Sequence, residues 1–321
     1  MFEVIIDKKN ENQRVDKFVR KVLKNAPLSF IYKLFRKKDV KVNDKKIDID
    51  YKLKENDVLK IYVSEQQLDD FKNKVNLKIV EFCHEIIYED ENILIINKPS
   101  GLLVHGDSKN KKETLTNDVL NYLYSKGEYD NDSYFTPAPA HRLDRNTSGI
   151  IIFGKNSAVL HDLMELLQDK SKIEKEYIAL VVGNINKEGV IDAPLLKIEK
   201  LNKVVVSNDI GSKKAITKYH PYKSLKDYTL LKVNLLTGRT HQIRVHLSYI
   251  NHPIVGDKKY GDIKVNKIFE EKYGLDSQFL HAYSIKFNKI DGILSYLSNK
   301  KFCANLSKKE HNIINLLSNS L

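Results

Sequence analysis

Apolar residues first recur at helical spacing between Asn12 and Asn25, where Val15, Phe18, Val19 and Val22 share one face before Pro27 stops the segment. A second helix is predicted over 30–38, with Ser29 as its N-cap. Ile31, Leu34 and Phe35 turn inward there, and Lys33, Arg36, Lys37 and Lys38 occupy the outer faces. Residues 40–47 then alternate about an Asn43-Asp44 turn and 58–63 alternate again, which predicts a small β-ribbon after the two helices. The stretch 65–78 is polar and weakly periodic, and reads as a linker.

From residue 79 the pattern changes. Apolar runs at 86–88, 93–97 and 150–153, with strand-like runs at 176–182, 203–207, 215–220 and 228–235, predict a sheet. Between them, 157–169 is an amphipathic helix with Leu160, Leu163, Met164 and Leu167 on one side, and a further helix opens at Thr240 with Ile243, Leu247 and Ile250 as its apolar side. The predicted fold class is α+β. A small domain over 1–64 (two helices plus a short β-ribbon) is followed by the 65–78 linker. A larger domain over 79–321 is then built on a mixed, mostly antiparallel β-sheet with flanking helices.

A chain of 321 residues accommodates two domains, and 41% hydrophobic with 30% charged residues is a globular balance. No run approaches the roughly 20 apolar residues of a membrane span, and the first seven residues are too short and acidic for a signal peptide. A cytoplasmic protein without membrane association is expected. Cys83 and Cys303 show no metal-ligand spacing and read as inert core thiols. His241 and His246 are five apart and fall on different helix faces, so no metal is expected, and no Gly-rich nucleotide motif suggests a cofactor. Charge adds a partner class. The net +12 is uneven, because residues 1–64 hold 17 basic against 10 acidic side chains. Such asymmetry marks a polyanion-binding surface, or else a lysine-rich composition without a partner.

The chemistry concentrates in His141-Arg142-Leu143-Asp144-Arg145-Asn146-Thr147-Ser148-Gly149. Flanking guanidinium groups favour the ionised form of a carboxylate, which makes Asp144 an anion and a candidate nucleophile. The small turn residues lead into apolar Ile150-Ile151-Ile152-Phe153, which puts Asp144 on a loop at a sheet edge. Taken alone, the Arg-Asp-Arg run is also compatible with a solvated surface ion-pair cluster.

That run resembles the active-site signature of the RluA-type pseudouridine synthases, which isomerise uridine in RNA. Four more segments match, and all five stand in the family's order. Lys98 to His105 resembles its first motif, Lys175-Glu176-Tyr177 its Lys-x-Tyr, Gly238-Arg239-Thr240-His241-Gln242-Ile243-Arg244 its arginine segment, and Phe279-Leu280-His281-Ala282 its last motif. Residues 12–64, with Arg14-Val15-Asp16-Lys17-Phe18 and Arg36-Lys37, resemble the S4 RNA-binding module.

The resemblance implies roles. Asp144 is the nucleophile, attacking ribose C1′ or first removing a ribose proton. Tyr177 stacks on the target base and relays or accepts the C5 proton. Arg239, at a strand-to-helix turn capped by Thr240, is the salt-bridge partner of Asp144, with a phosphate contact as its rival role. Leu280 underlies the uracil ring. Arg142 fills the space left by a flipped-out nucleotide, with His141 as a further substrate contact. Arg14, Lys33, Arg36, Lys37 and Lys38 grip RNA. No cofactor or metal is implied. The expected partner is large-subunit ribosomal RNA or its precursor particle, and the protein is expected to be a monomer. The segments 26–37 and 97–106 look closest to the C-type branch of the family, with the S4-bearing D-type branch as the alternative. The rival classes are a non-catalytic S4-type assembly factor and an Asp-dependent RNA hydrolase.

Overall fold

A computed structural model of the chain describes all residues except 72–76, 107–113, 131, 132, 134, 320 and 321. Two compact units emerge, one from 1–82, 116–138 and 153–162, the other from 83–115, 139–152 and 163–321.

The first unit starts with a strand that the patterning did not predict, β1 (Phe2–Ile5). It pairs antiparallel with β4 (Val58–Ile61) in a four-stranded sheet ordered β1-β4-β2-β3, where β2 is Val40–Val42 and β3 is Lys45–Lys46. Asn43 (φ 50°) and Asp44 (φ 62°) are both left-handed, the conformation a tight two-residue hairpin needs. Helix α1 (Val15–Val22) buries Val15, Phe18, Val19 and Val22, and α2 (Leu28–Lys37) buries Ile31 and Leu34. Ser29 is not the cap of α2. Pro27 holds that position, its fixed φ suiting the helix entry without a side-chain acceptor. The expected linker carries helix α3 (Glu65–Phe71), because Leu68 and Phe71 are apolar enough to pack on the same core. Phe71 meets the Phe30 ring at 4.9 Å. Helices α4 (Leu115–Ser125) and α5 (Ser157–Leu166) follow, and in α5 Val159 and Leu163 are buried whereas Met164 is exposed.

The second unit is built on a ten-stranded sheet of order β10-β13-β14-β9-β15-β8-β6-β5, with β7 beside β8 and β16 beside β15. The strands are β5 (Glu85–Glu89), β6 (Ile93–Lys98), β7 (Ala138–Pro139), β8 (Ser148–Gly154), β9 (Ile173–Val182), β10 (Gly189–Asp192), β13 (Ile216–Leu225), β14 (Tyr228–Leu235), β15 (Leu280–Phe287) and β16 (Lys301–Cys303). The pair β11 (Leu195–Ile198) and β12 (Lys203–Val206) forms a separate hairpin. From β10 through β13, β14 and β9 to β15 the pairing is antiparallel, as it is between β15 and β16 and between β5 and β6, whereas β15 and β8 run parallel. That junction is tight. A Cβ on Gly149 would overlap the Ala282 carbonyl oxygen, and Gly149 sits at φ +107°.

Three helices complete the unit: α6 (Gln242–Tyr249), α7 (Ile263–Tyr273) and α8 (Lys308–Ser318). Ile178 and Leu180 of β9 join a core with Phe269 of α7 and Ile313 and Leu317 of α8. The alternate residues of β9, Lys175 and Tyr177, therefore face the other side of the sheet. Cys83 and Cys303 are both exposed, which corrects the expectation of core thiols. Among the described residues no helix is long and apolar enough to cross a membrane.

Candidate active site

Asp144 opens the turn that feeds β8. The Thr147 N–H donates to the Asp144 carbonyl at 3.1 Å, and β8 lies between β15 and β6, so the loop sits at the end of an interior strand rather than at a sheet edge. A second loop braces this turn. Lys98 is fully buried at the end of β6, and its ammonium donates to the carbonyls of Pro99 (2.8 Å), Leu102 (2.9 Å) and Arg145 (3.0 Å). Burial lowers the Lys98 pKa to about 7, against the opposing pull of the Asp144 charge. Gly101 N–H donates to Arg145 O (3.0 Å), Arg145 Nε to Gly101 O (2.9 Å) and Ser100 Oγ to Asn146 O (2.9 Å). The lysine of the first motif and its loop thus fix the residues directly after Asp144.

Neither flanking arginine pairs with Asp144. Arg145 turns back to Gly101, and Arg142 is exposed on the cavity wall. The cation that holds the carboxylate comes from α6. Arg244 Nη1 donates to Asp144 Oδ2 at 2.9 Å, while Nε and Nη2 donate to Asp257 at 2.7 and 2.9 Å. The expected partner was Arg239. That side chain is exposed, and its Nε donates to the Lys214 carbonyl at 3.1 Å.

Helix phase explains the exchange. The helix begins at Gln242 after His241, which is left-handed at φ 54°, so Thr240 is not its cap and Arg239 precedes the first turn. Buried Gln242 organises the entry instead. Its Oε1 accepts from Arg239 N–H (3.0 Å) and Thr237 Oγ1 (2.8 Å), and its Nε2 donates to Ile216 O and Thr217 Oγ1, both at 3.0 Å. Arg244 falls on the inward face of that helix.

Asp257 is buried and also accepts the N–H groups of Lys259 (2.9 Å) and Tyr260 (3.1 Å). Burial by itself would raise its pKa, but the hydrogen bonds and charge of Arg244 leave it below the ordinary carboxylate value. For Arg244, burial opposes the charged form, and the two carboxylates outweigh it, so the guanidinium pKa is raised. The Tyr260 ring lies under the guanidinium, 5.0 Å from its central carbon. His241 donates or accepts at Tyr260 OH through Nδ1 (2.8 Å) and puts Nε2 3.7 Å from Asp144. Burial lowers its pKa against the pull of Asp144.

A cavity of about 700 Å³ opens in front of this carboxylate, and Asp144, Tyr177, Arg239, Arg142, Leu280 and His141 all line it. Tyr177 and Leu280 are nearly fully buried on adjacent strands β9 and β15, at one sheet face. Burial, with the Asp144 charge, raises the Tyr177 pKa, so the phenol is neutral at neutral pH. Neither ring nitrogen of His141 has a partner among the described residues, and burial keeps that imidazole neutral. In the first unit, Lys33, Arg36, Lys37 and Lys38 are exposed on α2 and its C-cap. Arg14 pairs with Asp16 at 3.0 Å. Sequence patterning did not single out Lys98, Arg244, Asp257 or Tyr260 as site residues. Arg244 and Lys98 lie inside the family-like motifs; Asp257 and Tyr260 carry no signal of their own.

An anchored carboxylate facing a cavity with an aromatic floor and cationic walls suits an enzyme that works on a nucleic-acid base. Residues 92–249 match the family model described as RNA pseudouridylate synthase. Over 288 residues the chain is 39% identical to the ribosomal large subunit pseudouridine synthase C of Vibrio parahaemolyticus, covering 88% of this chain and 87% of that protein. It is also 39% identical over 293 residues to the protein of the same name from Buchnera aphidicola subsp. Baizongia pistaciae, covering 88% of each. The chain belongs to the RNA pseudouridylate synthase family and is an isomerase of uridine in RNA. Its fold is shared with the human RNA pseudouridylate synthase domain containing 4, at a TM-score of 0.57 and 24% identity over 72% of this chain and 92% of that one.

Proposed function

We propose that this chain converts specific uridines of large-subunit ribosomal RNA to pseudouridine, with Asp144 as the nucleophile. The observation that carries the reading is the Arg244 fork, which holds one Asp144 oxygen at 2.9 Å and leaves the carboxylate open to the cavity. The choice of RNA rests on the names of the relatives from Vibrio and Buchnera, both large-subunit enzymes of the C type. A monomer working in the cytoplasm, where bacterial ribosomal RNA is made, completes the reading.

The chemistry needs heterolysis of the bond between N1 and C1′, rotation of the freed uracil and bonding of C5 to C1′. Asp144 either attacks C1′ or removes a ribose proton. The base rests between Tyr177 and Leu280, whose side chains line the same sheet face. Exposed Arg142 fills the gap left in the RNA stack, and exposed Arg239 grips a phosphate. Residues 1–64 act as an S4-type RNA-binding domain joined through 65–78 to a catalytic domain over 79–321. Support comes from the exposed cations Lys33, Arg36, Lys37 and Lys38 on α2 and its C-cap, with Arg14 at the start of α1.

Carbodiimide mapping of pseudouridine in large-subunit ribosomal RNA tests the proposal, comparing cells with the wild-type chain and with Asp144→Asn. Stops that vanish in the variant establish reaction and target together. An identical map in both strains refutes it.

A further inference from the structure

Lys175 is a half-buried cation that the mechanism above leaves unused. It stands two residues before Tyr177 on β9, so both side chains share one sheet face and both line the cavity that holds Asp144. Among the described residues its ammonium has no hydrogen-bond or ion-pair partner, and no carboxylate compensates it. Its titratable neighbours are Lys170, whose ammonium is tied to the Leu167 carbonyl at 2.6 Å, and His141, which is neutral with both ring nitrogens unpartnered. Tyr177 beside it is neutral, and β15 presents apolar Ile285 opposite it. Even a partly desolvated ammonium without a counter-charge carries a cost, and such groups gather where an anion arrives during function.

The cavity offers other cations for phosphate. Arg142, Arg239 and Lys197 are exposed on its walls, open to a solvated phosphate. Lys175 is half-buried instead, about 6.6 Å along the strand from the tyrosine proposed to carry the base, a span that a lysine arm covers.

We propose that Lys175 is a further catalytic residue, whose ammonium donates a hydrogen bond to the uracil oxygen that turns negative as the bond between N1 and C1′ breaks. The inference rests on the proposed reaction at Asp144. When that bond breaks, its electron pair stays with the uracil and spreads over N1, O2 and O4, whichever way Asp144 acts. C5 then bonds to C1′ and its proton leaves to a base, so the net change is isomerisation. Lys175 keeps its proton throughout and acts on the charge that develops in the transition state.

The test is steady-state kinetics of the full chain on large-subunit ribosomal RNA transcripts labelled with tritium at uracil C5. Lys175→Met is expected to lower kcat by about 100-fold with KM changed by less than about threefold, the effect of losing one preorganised donor. Lys175→Arg is expected to stay within about tenfold of wild type, since it restores the charge. Burial, with the Lys170 charge, lowers the Lys175 pKa to about 8. The wild-type kcat/KM, which reports the free enzyme, is therefore expected to fall as pH rises through about 8, and Lys175→Arg to remove that fall.

A raised KM with unchanged kcat in Lys175→Met would assign the residue to phosphate binding and overturn the proposal. Equal losses in both variants with a lowered melting temperature would make the residue structural and overturn it as well. Should Lys175→Met not fold, the Lys175→Arg profile decides, and an unshifted alkaline limb counts against the proposal. Tritium release by wild type but not Asp144→Asn keeps the underlying reaction intact while Lys175 is judged. No release by wild type instead sinks the reaction itself.

Discussion

Arg244 serves two carboxylates at once, donating through Nη1 to Asp144 and through Nε and Nη2 to Asp257. A lysine at this position has one compact charge and cannot reproduce the fork. Arg244→Lys is expected to lower kcat by about 100-fold or more. Arg244→Met strands the buried Asp257 charge and should cost on the order of 3–5 kcal/mol in urea unfolding. Arg239→Ala is expected to act on RNA affinity, with kcat within about tenfold of wild type, because its guanidinium is exposed and bonded only to a backbone carbonyl among the described residues. Reversed kinetics for the two arginines would return the pairing role to Arg239. The motif words located the segment, and the six residues predicted for catalysis and substrate binding line one cavity, while the five predicted RNA-gripping cations lie in the first unit. Which arginine turns inward was not legible, because it depends on where α6 begins. Asp257, thirteen residues beyond Arg244, has a role only through the fold.

At the scale of elements, the entry to α6 and the contact between β8 and β15 set the site. Gln242 is buried and makes four hydrogen bonds at the helix entry, so Gln242→Ala should cost about 2–4 kcal/mol by leaving polar partners unmet. Thr240→Ala, at an exposed position that does not cap the helix, is expected to change stability by less than about 0.5 kcal/mol. Thermal melts of the two variants check this, and equal losses would restore Thr240 as the cap. Gly149→Ala would force a methyl group against the Ala282 backbone next to the Asp144 turn. Its expected cost is about 3 kcal/mol or more, with activity falling alongside. Periodicity predicted the central strands and α1 well because their alternation or helical spacing is long. It missed β1, a four-residue strand whose partners in β4 lie 53 to 59 residues later, and α3, which packs on the core through Leu68 and Phe71. Met164 shows the converse limit: an apolar residue at helical spacing can still face outward.

For the whole molecule, the net charge of +12 is informative through its placement. If Lys33, Arg36, Lys37 and Lys38 grip phosphates, replacing all four with Ala should weaken RNA binding across sequences. The slope of log K against log salt should also become shallower, by roughly 0.7–0.9 for each phosphate no longer neutralised. Filter binding at several salt concentrations reads this directly, and an unchanged slope would move the RNA-binding surface elsewhere. Composition and motif order made the family legible, whereas the division into two units drew together segments distant in sequence that no local pattern connects. If Asp144 performs the isomerisation, its loss ends turnover. Because C5 exchanges its hydrogen for a bond to C1′, every turnover on C5-tritiated RNA releases tritium to water. The wild-type chain is predicted to release it and Asp144→Asn to release none while binding the same RNA with unchanged affinity. Tritium release by Asp144→Asn at the wild-type rate would contradict the account.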